Sequence, residues 1–228
     1  MTNSITVVIP CYNAERWVTE TIDSVKAQTF HDWGCIIVDD GSTDRSGEIL
    51  DNATKEDNRF IVLHTGNHGV AAARNLAITK ANGGYILPLD ADDKLRPHAL
   101  ERFMEEWKRH PEASLLVPQI RRFGDKEDKI QTRQWYNYED LKMYCRPTNS
   151  SCFKWEDWKR VGGYRSETMY EDWEFWLRLL YGNDKVINIP EVLVDYRVHE
   201  DSRWHEAVKY HDIEVAIIRK LNPKIYGK

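Results

Sequence analysis

Asp90-Ala91-Asp92-Asp93 places three carboxylates within four residues, directly after the apolar run Tyr85 to Leu89. Clustered carboxylates need a cation, and hard divalent ions such as Mg2+ or Mn2+ take a few carboxylate oxygens while leaving positions open for phosphate. The same residues also read as a solvated acidic turn that caps a following helix with Pro97 in its first turn. Val38-Asp39-Asp40-Gly41-Ser42-Thr43-Asp44 is a second acidic turn at a strand end. There Asp40 could accept a hydrogen bond from a nucleobase imide or a ribose hydroxyl, while Ser42, Thr43 and Asp44 suit an Asx turn and a helix cap. Arg74 is the one long cation in the small-residue stretch Ala71 to Asn75, either a counter-charge for a diphosphate or an ordinary surface arginine. Glu171 and Asp172 open an apolar helix, where the helix dipole alone accounts for them. If they face a crevice instead, Asp172 can act as the general base toward an attacking hydroxyl.

The elements that must position these groups are legible in the hydrophobic spacing. Ile5 to Ile9 is a β-branched strand ended by Pro10; Val18, Ile22 and Val25 recur at helical spacing after Asn13, a candidate N-cap. The pattern repeats: a strand from Gly34 to Val38 with a helix from Arg45 to Ala53, a strand from Phe60 to His64 with an Ala-rich helix from about Val70 to Ala81, and a strand from Tyr85 to Leu89. Nearly all-apolar strands alternating with helices predict an α/β fold with a parallel sheet flanked by helices. Ligands in such sheets collect at the carboxyl ends of the strands, so Tyr12, Asp40 and Asp92 should line one crevice. Beyond the helix marked by Leu100, Phe103, Met104 and Trp107, a strand is expected at Ala113 to Val117. Further strands are expected near Asn149 to Phe153 and Val186 to Val198, with helices at Trp155 to Arg160, Glu171 to Tyr181 and around His205 to Leu221. Seven of the nine tryptophans lie from Trp107 onward. Trp135, Tyr136, Tyr138, Trp155 and Trp158 could stack on sugar rings, with packing against the sheet the stronger expectation. The last helix, with Tyr210, Ile213 and Ile217, would dock on the domain, or else rest on a membrane surface or a partner.

The 228 residues, 41% hydrophobic and 30% charged with 12 Gly and 8 Pro, fit one globular domain. Its segment 1–118 would form one half and 119–228 the other. A formal charge of −5 and the lack of a long basic run argue against nucleic acid as the main partner. Apolar stretches fall well short of the roughly 20 residues that span a bilayer, and the start of the chain does not read as a signal peptide. A cytoplasmic location is expected, with peripheral attachment to the inner face of the membrane compatible with it. Cys11, Cys35, Cys145 and Cys152 are scattered and are read as thiols.

Taken in order, Thr6-Val7-Val8-Ile9-Pro10-Cys11-Tyr12-Asn13, Val38 to Asp44, Gly69-Val70-Ala71-Ala72-Ala73-Arg74-Asn75, Leu89 to Asp93 and Tyr170-Glu171-Asp172 form a series. It resembles the family 2 glycosyltransferases of GT-A fold, densely from Ile5 to Pro97, again at Ser151 to Leu179 and Tyr196 to Ser202, and not over about Arg121 to Asn149. The resemblance implies a nucleoside pocket at Pro10, Tyr12 and Asp40, with uracil the usual base. Asn13, Asn67, Arg74, Asp90 and Ala91 would complete the nucleotide-sugar site. Asp92 would be a metal ligand for Mn2+ or Mg2+, Asp172 the catalytic base, and Glu171 with Trp173 an acceptor contact. Tyr196-Arg197-Val198-His199 matches a motif whose Arg197 and His199 approach the diphosphate and the metal. The implied reaction is inverting transfer of one sugar from a UDP-sugar to a hydroxyl of a glycan or lipid-linked acceptor, by direct displacement, in surface polysaccharide or glycoconjugate synthesis. Glu200-x-x-Arg203-Trp204 is similar to the Gln-x-x-Arg-Trp signature of processive synthases, but Glu replaces Gln, and single addition is expected. No G-x-G-x-x-G follows the first strand and no P-loop is present, against a dinucleotide-dependent enzyme. A binding module without turnover would share the sheet but dispense with Asp92 or Asp172.

Overall fold

The computed structural model describes residues 4–125, 129–131, 135, 137–145, 147–182, 185–200 and 204–227. Tyr136 and Arg203 lie outside them. In chain order the elements are β1 (Ile5–Cys11), α1 (Val18–Lys26), β2 (Trp33–Asp39), α2 (Ser46–Thr54), β3 (Phe60–His64), α3 (Val70–Lys80) and β4 (Tyr85–Pro88). There follow β5 (Lys94–Leu95), α4 (Ala99–Arg109), β6 (Leu115–Gly124), β7 (Lys129–Gln131), α5 (Tyr138–Met143), β8 (Cys152–Lys154) and α6 (Trp155–Val161). The chain closes with α7 (Glu171–Leu180), β9 (Val186–Val198), α8 (Trp204–Lys209), α9 (His211–Leu221) and α10 (Pro223–Tyr226).

The four apolar strands of the first part pair in parallel in the order β3-β2-β1-β4. The sheet then continues through β8, β6, β9 and β5, with β7 alongside β6. β8 joins β4 and β6 antiparallel, whereas β9 runs parallel to β6. Both faces are covered. On one side Phe103 and Trp107 of α4 are fully buried, and Tyr85 of β4 stacks on Trp107 at 4.6 Å. On the other, the alanines of α3 allow it to lie close on β1 and β2. α7 is apolar nearly all round and sinks into the second core, where Phe175 and Trp176 meet Phe153 of β8 at 5.2 and 5.7 Å. A helix buried on that much of its circumference is expected to carry few polar residues, and those of α7 are confined to its first turn and to one internal ion cluster.

In that cluster Glu174 is fully buried and accepts from Arg178 at 2.6 Å, Arg165 at 2.9 Å and Asn222 at 3.1 Å. Arg178 continues to the carbonyls of Val161 and Gly163. One carboxylate thereby fastens α7 to the α6–α7 loop and to the end of α9.

Some expectations need correction. Asn13 is not the cap of α1, which starts at Val18; Asn13 takes a left-handed φ of 50° in the preceding loop. Pro97 lies two residues ahead of α4 rather than in its first turn. The last helix is broken at Tyr210 into α8 and α9, and the short β5, β7 and α5 have too few residues to show a period. α9 docks on the domain: Ile218 is buried, and Glu214 accepts from Thr168 Oγ1 at 2.6 Å and Met169 N–H at 2.7 Å. Tyr210 and Ile213 face outward. All four cysteines are free thiols, and no described helix is long and apolar enough to cross a membrane.

Removing one partner of a buried ion cluster strands the remaining charges. Glu174→Ala should therefore lower unfolding free energy by about 3–5 kcal/mol, measured by urea denaturation.

Candidate active site

Parallel pairing sets Cys11 beside Asp39 and Asp39 beside His64. Tyr12, Asp40 and Thr65 therefore leave the sheet side by side. β4 runs parallel to β1 and Leu89 N–H donates to the Val8 carbonyl at 3.0 Å, so Asp90 emerges on the same edge.

At the β1–β3 end of this edge, Pro10 is half-buried and the Tyr12 side chain is 50% exposed. Asn13 is a tie between loops: its N–H donates to Ser42 Oγ at 3.0 Å and its Oδ1 accepts the Thr43 N–H at 2.8 Å. Asp44, expected to cap α2, instead closes the preceding turn, its Oδ1 accepting the Ser46 N–H at 2.9 Å, and Arg45 holds the N-cap position. Asp40 is 4% exposed, and its two oxygens accept the N–H groups of His68 and Gly69 at 2.9 and 2.8 Å. The carboxylate thus orders the loop that carries exposed Asn67. Gly41, with φ of +76°, lets that loop approach: a Cβ there would sit 2.7 Å from the Asn67 nitrogen.

Asp39 was not singled out by its sequence context, yet it holds this end together. Its Oδ1 accepts the Ser42 N–H at 3.0 Å, and its Oδ2 meets His64 Nδ1 at 3.0 Å, while His64 Nε2 meets Asp51 at 3.1 Å. Hydrogen bonds to Asp39 and Asp51 push His64 up from its ordinary value. Burial acts the other way on Asp39, but its bonds to Ser42 and His64 outweigh it and hold the carboxyl below the usual range.

In the middle of the edge, Arg74 is not a surface residue. It is 2% exposed, with one guanidinium nitrogen 2.6 Å from Glu171 Oε1 and the other 2.8 Å from Asp90 Oδ1. Asn149 Nδ2 reaches the same Asp90 oxygen at 3.1 Å. Glu171, expected as an acceptor contact, is buried against Arg74, and Trp173 is core: it is 3% exposed and its Nε1 donates to the Leu141 carbonyl at 2.7 Å. Asp172 is half-buried, one oxygen accepting the Trp173 N–H at 2.8 Å. Burial and the neighbouring Glu171 push its carboxyl up to about 6, against the opposing pull of Arg74.

At the third station, Asp90 and Asp92 are partly exposed, whereas Asp93 points inward. Burial, with Asp92 and Asp90 close by, pushes the Asp93 carboxyl well above the ordinary range, and it accepts the Arg197 N–H at 2.8 Å. Ala91 is buried, its carbonyl accepting from Thr21 Oγ1 at 2.8 Å. The Arg197 side chain donates to the Asp92 carbonyl at 2.8 Å and to Glu20 at 3.0 Å, over the Phe123 ring. His199 Nε2 lies 2.8 Å from Asp92 Oδ2, its ring packs on Trp17, and its Nδ1 is buried without a partner among the described residues. One carboxylate oxygen and one imidazole nitrogen suit a divalent cation whose remaining positions are filled by a ligand's oxygens. No cluster of three acidic, histidine or cysteine side chains that could hold a metal by itself occurs among the described residues.

The later aromatics mostly pack, as expected: Trp155 Nε1 donates to the Ile78 carbonyl, Trp158 Nε1 to Asn75, and Tyr138 to the Leu177 carbonyl. Trp135 is buried.

Set beside known proteins, the chain matches Glycosyl transferase family 2 over residues 6–170. It belongs to that family. A glycosyltransferase of Bacillus subtilis strain 168 named for teichuronic acid biosynthesis, TuaG, is 31% identical over 229 residues, covering 92% of this chain and 88% of TuaG. Seven other curated relatives are matched over only 15% to 42% of their own length. The fold is that of the GT-A enzymes. S. aureus TarS 1-349 in complex with UDP-GlcNAc superposes with a TM-score of 0.79 at 16% identity, over 98% of this chain and 70% of that one. The mannosyltransferase PcManGT of Pyrobaculum calidifontis, in complex with GDP-Man and Mn2+, superposes with 0.72 at 19%, over 94% and 64%.

Because folding favours the charged form of His64, its stabilising contribution is complete below about pH 6.5, the unfolded value, and is lost as pH rises through the raised folded value. Urea denaturation of the wild type and His64→Gln should show the gap between them widest below about pH 6.5 and narrowing as the pH rises above it.

Proposed function

We propose that this chain is an inverting glycosyltransferase that moves one sugar from a UDP-sugar to a hydroxyl of a glycan or lipid-linked acceptor in surface polysaccharide synthesis. The observation that carries this reading is Asp172, half-buried at the start of α7 with a carboxyl held near 6 by burial and Glu171. A carboxylate so placed is a stronger base than a solvated aspartate yet is ionised at neutral pH. In the reaction the acceptor oxygen bonds to the anomeric carbon, the bond from that carbon to the diphosphate breaks, and the hydroxyl proton passes to Asp172.

The roles implied by the sequence are refined accordingly. Tyr12 offers an exposed aromatic face to the base beside Pro10, with Asp40 and Asn13 shaping the loops and Asn67 reaching from them. Asp90 and the Ala91 backbone would meet the donor. Arg74 keeps the charge of Asp172 and Glu171 balanced, so Glu171 is a counter-ion and not an acceptor contact. Arg197 braces Asp92. Asp92 and His199 would hold Mn2+ or Mg2+, which would supply positive charge opposite a departing diphosphate. UDP as the donor nucleotide is supported by the fold shared with TarS, solved with UDP-GlcNAc. The acceptor class is supported by the near full-length match to TuaG. The 1–118 segment would serve the donor and the 119–228 segment the base and acceptor.

Thermal stabilisation by UDP, GDP and CMP, each with and without Mn2+, tests the donor class, because a ligand that binds the folded state raises Tm. A shift with UDP that grows with Mn2+ is expected, and Asp92→Asn should remove the Mn2+ increment. No shift with any nucleotide would sink the reading. Asp172→Asn should keep UDP binding and lose at least 100-fold in transfer, in line with the roughly 10²–10⁴-fold value of a general base. In the wild type kcat should fall as pH drops below about 6.

A further inference from the structure

Asp172 stands on the second residue of α7, in a turn that the helix does not secure by itself. Tyr170 holds the N-cap position, and its side chain makes no capping bond. The first N–H groups of a helix have no partner within it, and a helix without a capping side chain frays from that end. A displacement of about 1 Å at a reacting group costs up to about 100-fold in rate, so a loose first turn matters more here than at an ordinary helix start.

The turn is held from outside, by α8 and α9. Glu214 of α9 is 7% exposed, and its Oε2 accepts both the Thr168 Oγ1 hydroxyl at 2.6 Å and the Met169 N–H at 2.7 Å. Thr168 is buried in turn, and its Oγ1 accepts the Tyr170 N–H at 3.1 Å. The Tyr170 phenol reaches back to the same helices, donating to the Ala207 carbonyl at 3.2 Å and lying 3.1 Å from His211 Nδ1. All three residues ahead of Glu171 are thereby tied to the C-terminal helices.

Docking α9 does not itself call for that carboxylate. Ile218 is buried, and at the far end of the helix Asn222 bonds to Glu174, inside the ion cluster that anchors α7. A carboxylate taken out of water weakens a fold unless donors meet it. Among the described residues no cation pairs with Glu214, and its donors are those of Thr168 and Met169 alone. Its bonds are spent on the segment that opens α7.

We propose that Glu214 is a positioning residue: acting through Thr168 and Met169, it stands in for the missing cap of α7 and holds the Asp172 carboxylate in place at the crevice. This rests on the reading of Asp172 as the base. The C-terminal helices then belong to the catalytic apparatus although no residue of theirs touches the reacting atoms.

Both bonds fall on one oxygen of Glu214, so the amide oxygen of Glu214→Gln can take them over, whereas Glu214→Ala leaves them unmade. Thr168→Val keeps the volume and removes the hydroxyl, which provides a second variant should Glu214→Ala fail to fold. The readout is carbon-13 carboxyl titration of Asp172, its resonance identified by its loss in Asp172→Asn. Burial is the main reason that this carboxyl stands near 6, and the other groups that act on it, Glu171, Arg74 and Asp90, are untouched by the substitutions. A loosened turn admits water. In Glu214→Ala and Thr168→Val the midpoint should therefore fall by about half a unit or more, toward the roughly 3.9 of a solvated aspartate, while Glu214→Gln stays at the wild-type value. A lowered Tm with an unmoved midpoint would overturn the proposal, by showing that Glu214 only docks α9. So would a Gln variant displaced as far as the Ala variant, since the acceptor oxygen would then not be what matters. Transfer by Asp172→Asn at the wild-type rate would instead remove the base assignment. That outcome is separable from failure of the Glu214 tie, because the midpoint reads the surroundings of Asp172 whatever its task.

Discussion

Arg74 lies between Asp90, which follows the fourth strand, and Glu171, nearly a hundred residues further on at the start of α7. A guanidinium removed from water is tolerated only where its donors find acceptors of opposite charge, and the two carboxylates are in turn tolerated there because of it. This mutual dependence fixes α3, the strand end and α7 relative to one another. It also sets the electrostatic level at which Asp172 operates. Burial and Glu171 raise its carboxyl and Arg74 restrains the rise, so the group titrates between a solvated aspartate and a fully buried one.

The rest of the architecture serves that junction. The small residues of α3 bring its backbone close to β1 and β2 and carry Arg74 to the carboxyl edge. On the far side, α7 is anchored from within by Glu174, Arg178 and Arg165, so its first turn projects a fixed pair of acids. The second acidic group, Asp90 to Asp93, divides by burial: Asp93 turns inward and ties β9 through Arg197, leaving Asp90 and Asp92 toward the crevice. Three acids within four residues thereby divide between two environments.

Several residues turned out to act on the protein before any ligand. Asn13 and Asp40 tie the loops at the carboxyl ends of β1, β2 and the segment before α3, and Asp39 with His64 clamps the same corner. Such bonds preorganise an edge, so that a ligand meets loops already in place. The exposed members, Tyr12 and Asn67, are presented by that framework.

The sequence by itself determined the order and kind of the elements from β1 to β4, because each apolar strand and each helix there is long enough to display its own period. It also determined that Asp40, Asp92 and Asp172 stand at element ends, since strand ends and first helical turns carry recognisable residue types. What it could not determine was which charges meet. Arg74 looks like a surface residue beside its neighbours in sequence, and Glu171 looks solvated at a helix start; only their approach across 97 residues in the folded chain makes one the counter-ion of the other. The same holds for Arg197, whose bonds go to Asp92, Asp93 and Glu20, and for Trp173, whose indole is spent on Leu141. Local pattern encodes local structure, whereas burial, pairing and titration are properties of the space between elements, and that space exists only once the sheet has brought distant segments together.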